Sequence, residues 1–266
     1  MTIALVIAVT IGLSLAMSVA WLVQRRTGNA GWVDAVWTFA LGAAGVIYAL
    51  SPSAVIPWPS TRQVLVAVLV AAWSLRLGLY LLRRTGRLPE DARYAQFRRE
   101  WGETYQSRMF MFLQIQALAA AFLALSMLLA ARNPHPFGIL DVIALAVLGS
   151  AIIGAGIADA QLGRFRAEQA NRSRICDSGL WSLSRHPNYF FEWLGWMAYP
   201  IFAIDPSGSY LWGWLAFSGP VAMYGLLVHV SGIPPTEAHM LRTRGDAFRR
   251  YQERTRPFLP LPKAGT

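Results

Sequence analysis

The chain has 266 residues, of which 55% are hydrophobic and only 14% are charged, and its mean hydropathy is +0.38. This composition excludes an ordinary soluble domain and is typical of a polytopic membrane protein. In such a protein the formal charge of +10 is explained first by membrane topology and by attraction to anionic lipid headgroups, and only then by nucleic-acid binding. The single cysteine excludes an internal disulfide, and the absence of HExxH, CxxC and P-loop patterns indicates no metal or P-loop site.

A hydrocarbon layer about 30 Å thick needs roughly 20 apolar residues of helix. Runs of about this length predict an all-α fold with seven transmembrane helices, at residues 2–23, 32–50, 64–82, 110–131, 139–158, 189–204 and 210–230. No linker or internal repeat interrupts the chain, so we expect a single membrane domain, 1–266. The first run has basic residues after it and none before it, which predicts a retained helix instead of a signal peptide.

Basic residues are distributed unevenly over the predicted connections. If the spans alternate, all but three of the 24 Lys and Arg follow the first, third, fifth or seventh span, the exceptions being Arg62, Arg76 and Arg132. The positive-inside rule then predicts an N-out/C-in orientation with the long basic loops in the cytoplasm. The same loops are rich in aromatic residues, so we expect any chemistry at the cytoplasmic face.

Ionisable residues within apolar spans are candidates for function, because an unpaired charge in hydrocarbon is costly. Asp34 lies near the cytoplasmic edge of the second span, Arg76 and Tyr80 lie one turn apart in the third, and Glu192 enters the sixth. We expect these four groups to converge at one depth, with Trp37 and Arg76 facing a substrate. Alternatively, Asp34 and Arg76 form a structural ion pair, and Tyr80 is an interfacial aromatic residue.

Residues 183–193, LSRHPNYFFEW, gather four polar side chains at the start of an apolar run: Arg185, His186, Asn188 and Glu192. Pro187 suits the first turn of a helix, which would place Asn188 and Glu192 on one face together with Gly195, whose missing side chain would leave room for a flat ring. His186 could instead simply shape the turn before Pro187.

The basic stretch from Arg164 to Arg185 directly precedes this helix. Arginine suits phosphate, and the Asn188 carboxamide can bond an amide or a ribose. These residue types are consistent with a nucleotide cofactor. Because no GxGxxG follows a strand, a nicotinamide site would have to be built among helices.

The segments GLWSLSRHPNYFFEWLGW and GIPPTEAHMLRTRGDAFRRYQERTRPFLP resemble the C-terminal domain of the steroid 5α-reductase family, and more narrowly its bacterial DUF1295-type branch. The similarity is strong over residues 150–262 and extends more loosely into WVDAVW and ARYAQFRREWG. An Arg-His-Pro-x-Tyr motif also occurs in isoprenylcysteine carboxyl methyltransferases, so these motifs are specific to a superfamily and not to one reaction.

The resemblance implies a seven-helix, multi-pass reductase of a bacterial inner (cytoplasmic) membrane, in which residues 1–131 receive a lipid-soluble substrate and residues 132–266 hold NADPH. It implies cofactor contacts from Asp159, Arg164, Arg166, Arg185, His186, Asn188, Tyr189, Tyr251 and Arg254. Tyr80, with Arg83, Arg84 and Thr85 after it, resembles the family's proton donor. Steroid reductases carry a Gln-Glu pair in an early helix, where this chain has only Asp34, so a steroid substrate is not implied.

We therefore expect NADPH-dependent reduction of a C=C bond conjugated to a carbonyl in a lipid or steroid-like molecule. Tyr80 would polarise the carbonyl or protonate the enolate, and Asp34 or Glu192 would position the tyrosine or the nicotinamide amide. Two alternatives stay open. One is an S-adenosylmethionine-dependent methyltransferase whose site is completed by Glu237 and His239, and the other is a channel or transporter that uses the intramembrane polar groups.

Overall fold

The computed structural model describes residues 2–53, 56, 58–87, 90–171 and 174–263, which include every candidate site residue named above. Residues 172 and 173 of the basic stretch lie outside this part. The described residues form no strand, only an isolated parallel bridge between Ser184 and Arg256, so the all-α prediction is confirmed. The α-helices are α1 (Thr2–Thr27), α2 (Gly31–Ala49), α3 (Thr61–Arg87), α4 (Ala92–Trp101), α5 (Tyr105–Ala131), α6 (Ile139–Ala167), α7 (Leu180–Leu183), α8 (Pro187–Trp196), α9 (Ala198–Ala203), α10 (Ser218–Tyr224) and α11 (Ile233–Arg254).

Six helical segments of the described chain are long and apolar enough to cross a membrane: Thr2–Thr27, Gly31–Ala49, Thr61–Gly86, Arg93–Ala131, Ile139–Ala167 and Leu211–Arg254. The first five match the first five predicted spans, with only Leu50 of the second span outside its helix, and the last contains most of the seventh. The protein is therefore a multi-pass membrane protein by the length and composition of its helices. Its orientation and a seventh span stay predictions.

The predicted span at 189–204 is divided into α8 and α9 at Met197. Pro200 explains the break, because proline lacks an amide N–H and its ring clashes with the carbonyl four residues earlier, that of Trp196. The two helices have 10 and 6 residues, or about 15 and 9 Å. Neither is long enough to cross the hydrocarbon layer alone.

The segment after residue 210 is helical but irregular. It passes from 3₁₀ geometry at Leu211–Phe217 through α10 to a π-helical turn at Gly225–Val230. At its end the amides of Ser231 and Gly232 both donate to the Leu226 carbonyl. The Pro-Pro pair that follows cannot donate and starts α11 afresh.

The described contacts divide the chain into two compact units, Met1–Asp141 with Tyr199–Gly219, and Val142–Ala198 with Pro220–Thr266. In the first unit α3 begins with a capping box: the amide of Ser60 donates to Gln63 Oε1 at 3.0 Å, and the amide of Gln63 donates to Ser60 Oγ at 3.2 Å. This reciprocal pair fixes where the third apolar run becomes helical.

Helices α2 and α3 pack closely and antiparallel in the first unit. A Cβ added at Gly42 would lie 2.1 Å from Ser74 Oγ, and one added at Gly31 would lie 2.9 Å from Thr85 Oγ1. Only glycine permits so close an approach at these positions. The same register places Asp34 of α2 level with the turn of α3 that follows Tyr80, as the sequence predicts.

In the second unit α8 packs against α6. The ring of Phe191 fills the space beside Gly154, and Leu148 Cδ1 lies 3.2 Å from where a Cβ of Gly195 would be. The prediction that Gly195 leaves room for a flat ring is therefore wrong, because α6 already occupies that space. Its missing side chain serves helix packing.

Candidate functional site

The carboxylate of Glu237 is the hub of a buried polar cluster in the second unit. Arg185 donates to it twice, from Nε to Oε1 at 2.8 Å and from Nη2 to Oε2 at 3.2 Å. His186 Nε2 lies 3.0 Å from Oε1, and Gln252 Nε2 donates to Oε2 at 2.7 Å. Only 9% of the Arg185 side chain and 13% of the Glu237 side chain are exposed. The pair has the bidentate, charge-assisted geometry that makes such bonds strong.

Helix α11 must fold back on itself to make this cluster. Glu237 and Gln252 are 15 residues apart, a distance of about 22 Å in a straight helix, yet their side chains are bonded. The bend lies at Gly245, whose φ of +48° is in the region that favours glycine. The parts of α11 before and after Gly245 therefore both contact the RHPNY motif, residues 185–189.

The motif is also paired with the end of the chain. The Arg185 amide donates to the Arg256 carbonyl at 2.8 Å, and Ser184 Oγ donates to the Phe258 carbonyl at 2.8 Å. The hydroxyl of Tyr251, a side chain that is buried, donates to the Trp181 carbonyl. Phe258 then inserts its ring among three aromatic rings, Phe190, Trp193 and Tyr224, at centroid distances of 5.8, 5.7 and 5.5 Å. The two signature segments are thus parts of one structure.

His186 is buried at the start of α8 and its ring stacks on that of Tyr189, with centroids 5.3 Å apart. Burial lowers the pKa of His186, the bond to Glu237 opposes this shift, and the charge of Arg185 adds to it; the net pKa lies below the usual 6.5. The neutral imidazole donates from Nε2, because an ionised carboxylate can only accept. His186 therefore completes the coordination of Glu237.

Asn188 and Asp159, both predicted cofactor contacts, lie together. The Asn188 Nδ2 atom donates to Asp159 Oδ1 at 3.3 Å. Since a carboxylate only accepts, the amide nitrogen must face Asp159 and the amide oxygen must face away. That oxygen, Oδ1, is buried and has no hydrogen-bond partner among the described residues. A buried acceptor left unused costs about 1–3 kcal/mol, so a ligand donor at this atom would be favourable.

The other predicted cofactor residues also belong to the second unit. Arg164 and Arg166 are exposed at the end of α6, and the Nε of Arg164 donates to the carbonyl of Ala160 in its own helix. Arg254 is exposed and lies 3.4 Å from Asp177. Glu192 is half-buried one turn after Asn188 on α8, so the two share a helix face as predicted.

In the first unit Asp34 is held by two residues of α4. The hydroxyl of Tyr94 donates to Asp34 Oδ1 at 2.6 Å, and Arg93 Nη2 donates to Oδ2 at 2.7 Å. Arg93 also bonds Asp91 at 3.0 Å, and Asp91 bonds Arg84 at 2.8 Å. Sequence reasoning missed Arg93 and Tyr94. The signal available in the sequence was Asp91, which caps the start of the helix that carries both residues.

Asp91 is strongly stabilised as a carboxylate. Burial would raise its pKa, but the charge and hydrogen bonds of Arg93 and the charge of Arg84 lower it to about 2. Beside Asp34 and Asp91 is a small cavity of about 20 Å³, lined by Asn29, Gly31, Asp34, Leu81, Arg84, Thr85 and Asp91. This is room for one water molecule.

The remaining predicted residues of the first unit are half-buried. Arg76 and Tyr80 lie one turn apart on α3, and the indole N–H of Trp37 donates to the Gln116 carbonyl at 3.2 Å. Glu192 belongs to the second unit, and its convergence with Asp34 and Tyr80 stays a prediction. The described residues contain no group of three or more His, Cys, Asp or Glu that could hold a metal ion.

Fold and site together define a multi-pass helical membrane protein with a buried Arg-Glu-His cluster. The chain matches the family model described as "Protein of unknown function (DUF1295)" over residues 20–255, and it belongs to that family. It is 26% identical to the uncharacterized protein C594.04c of Schizosaccharomyces pombe over 269 aligned residues, which cover 91% of this chain and 76% of that protein. No solved structure matches the chain. The predicted DUF1295 membership is confirmed, and the likeness to the steroid 5α-reductases stays a prediction.

Replacing Glu237 with Gln should destabilise the second unit, because it leaves the buried Arg185 guanidinium without a counter-charge. Breaking a buried ion pair in this way costs about 3–5 kcal/mol. Thermal unfolding in detergent measures the effect, with Glu253→Gln as the control, since Glu253 is an exposed acid on the same helix. Equal midpoints for the two variants would contradict the central role of Glu237.

The lowered pKa of His186 predicts a loss of stability on acidification. The unfolded chain takes up this proton first as the pH falls below 6.5, so stability is full above that value and declines as the pH approaches the folded pKa. The thermal midpoint of the wild type should fall in this window, and His186→Gln should flatten the decline. His229→Gln, which removes an exposed histidine, should behave as wild type. An unchanged slope in His186→Gln would refute the assignment.

Proposed function

We propose that this protein is a membrane-embedded, NADPH-dependent reductase of a C=C bond conjugated to a carbonyl in a lipid-soluble substrate. The observation that carries the proposal is the unused, buried Oδ1 of Asn188, held beside Asp159 in a motif that resembles the steroid 5α-reductases. The carboxamide of a nicotinamide presents N–H donors that match such an acceptor. When bound, NADPH would supply a hydride.

The residues of the second unit would divide the work of holding the cofactor. Asn188 accepts from the nicotinamide amide, and Asp159 keeps the Asn188 side chain turned in the required direction. The exposed guanidinium groups of Arg164 and Arg166 would bind phosphates. Excess positive charge of this kind favours the form with a 2′-phosphate, NADPH, over NADH.

The resemblance implies that Arg185 and Tyr251 contact the cofactor, but in this proposal they have a different role. The Arg185 guanidinium is used on Glu237 and on the carbonyls of Gln252 and Thr255, and the Tyr251 hydroxyl is used on backbone carbonyls. Both residues therefore support the proposal as positioning residues: they fix the start of α8, which carries Asn188, Tyr189 and Glu192.

In the first unit we assign proton donation to Tyr80. A hydrogen bond from its hydroxyl would polarise the substrate carbonyl, and after hydride has added to the β-carbon its proton would pass to the resulting enolate. Asp34 accepts hydrogen bonds from Arg93 and Tyr94, and it lies at the level of the turn after Tyr80. Glu192 is the second candidate for positioning the donor, and Trp37 and Arg76 remain the proposed substrate contacts.

The methyltransferase alternative is less well supported by the site. It requires Glu237 and His239 to act together, but residues two apart on a helix point to different faces. Glu237 also already bonds Arg185, His186 and Gln252, which leaves its carboxylate little capacity to bind a ligand ammonium group.

Asn188→Ala tests the proposed cofactor contact. Losing a hydrogen bond to a buried partner costs about 1–3 kcal/mol, so the affinity for NADPH should fall roughly 5- to 150-fold. Titration of detergent-solubilised protein with NADPH measures it. Ser150→Ala removes an exposed hydroxyl of α6 that bonds only its own helix, and this control should bind as wild type. If Asn188→Ala binds NADPH as tightly as the control, the proposed contact is wrong.

A further inference from the structure

A second surface, unconnected with the proposed reduction, lies at the start of α5 in the first unit. An open groove of about 350 Å³ is lined by Trp101, Ser107, Arg108, Met111, Phe112 and Ile115. Positions 108, 111, 112 and 115 follow the i, i+3, i+4, i+7 spacing of one helix face. Met111 and Ile115 are 63% and 62% exposed. The groove therefore runs along the outer face of a helix that is long enough to cross the membrane.

Two of the polar residues that line the groove, Arg108 and Trp101, have unused hydrogen-bond donors. Arg108 is exposed and makes no hydrogen bond or ion pair within the described part of the chain, and the indole N–H of Trp101 likewise has no acceptor there. Two arginines of α4 are instead paired: Arg93 bonds Asp34, and Arg98 bonds Glu90. The Ser107 hydroxyl is already used on the Thr104 carbonyl. Two free donors thus stand over an apolar channel.

The wall that carries Trp101 is pre-formed. Its ring stacks on Phe97 with centroids 4.6 Å apart and planes 7° apart, and it meets Phe112 edge-on at 6.4 Å. Interlocked aromatic rings lose little conformational freedom when a ligand binds. The Trp101 ring is therefore held in place in the lining of the groove before any ligand arrives.

We propose that this groove binds one molecule of an anionic phospholipid. The phosphate accepts from the Arg108 guanidinium and the Trp101 indole, and one acyl chain lies along Met111, Phe112 and Ile115. The planar guanidinium suits phosphate, and lipid is the solvent of this helix face. An anionic headgroup neutralises the charge of Arg108. A zwitterionic headgroup would bring its own cation close to Arg108, so the anionic one is favoured.

Native mass spectrometry of the detergent-purified protein, titrated with dioleoyl phosphatidylglycerol or dioleoyl phosphatidylcholine, tests this proposal. The wild type should keep one phosphatidylglycerol in preference to phosphatidylcholine. Arg108→Gln should weaken that adduct roughly tenfold, as expected for the loss of a charge-assisted hydrogen bond. Arg99→Gln is the matched control: it removes an exposed arginine of α4 that does not line the groove, and it should retain the adduct.

A second variant tests the acyl-chain part of the groove. Ile115→Trp places a large ring on an exposed position, so it should fill the groove and lose the adduct while the protein stays folded. Equal binding of the two lipids, or equal losses in Arg108→Gln and Arg99→Gln, would overturn the proposal. A lipid-free dimer that Ile115→Trp dissociates would also overturn it and would assign the groove to a second copy of the chain.

Discussion

The buried ion pair between Arg185 and Glu237 is the interaction on which the second unit depends. Two charges removed from water are stable together only if their remaining bonding capacity is met, and here His186, Gln252 and two backbone carbonyls meet it. The pair therefore constrains more than two side chains. It requires α11 to bend at Gly245 and the end of the chain to lie beside the RHPNY motif.

This constraint separates residues that build the site from residues that can bind a ligand. Arg185, His186 and Tyr251 direct their polar atoms into the protein. Asn188 follows Arg185 and His186 within the same motif and has a buried oxygen that no described residue uses. The cluster fixes the first turn of α8 and so the direction of the Asn188 side chain. The Asn188 amide oxygen is not needed for these structural bonds.

Local properties of the sequence could be predicted, and pairings between distant residues could not. Hydropathy located the first five apolar helices, and Pro187 marked the start of α8. The break at Met197 follows from Pro200, and proline geometry alone would have revealed it. By contrast, Glu237 is 52 residues from Arg185 and Tyr94 is 60 residues from Asp34. Helical periodicity relates only residues that are close in sequence. The sequence around Glu237 and around Tyr94 therefore did not indicate their partners.

Gly195 illustrates the same limit, because a missing side chain can make room for a ligand or for a neighbouring helix, and only the packing of α6 decides between them.

The central claim, that the unused acceptor of Asn188 belongs to a nicotinamide site, is tested most directly by the small molecule that co-purifies. Protein purified in mild detergent would be denatured and the released molecules identified by mass spectrometry. The account predicts a nicotinamide dinucleotide with a 2′-phosphate, present in wild type and depleted in Asn188→Ala. Release of S-adenosylmethionine in its place would contradict it.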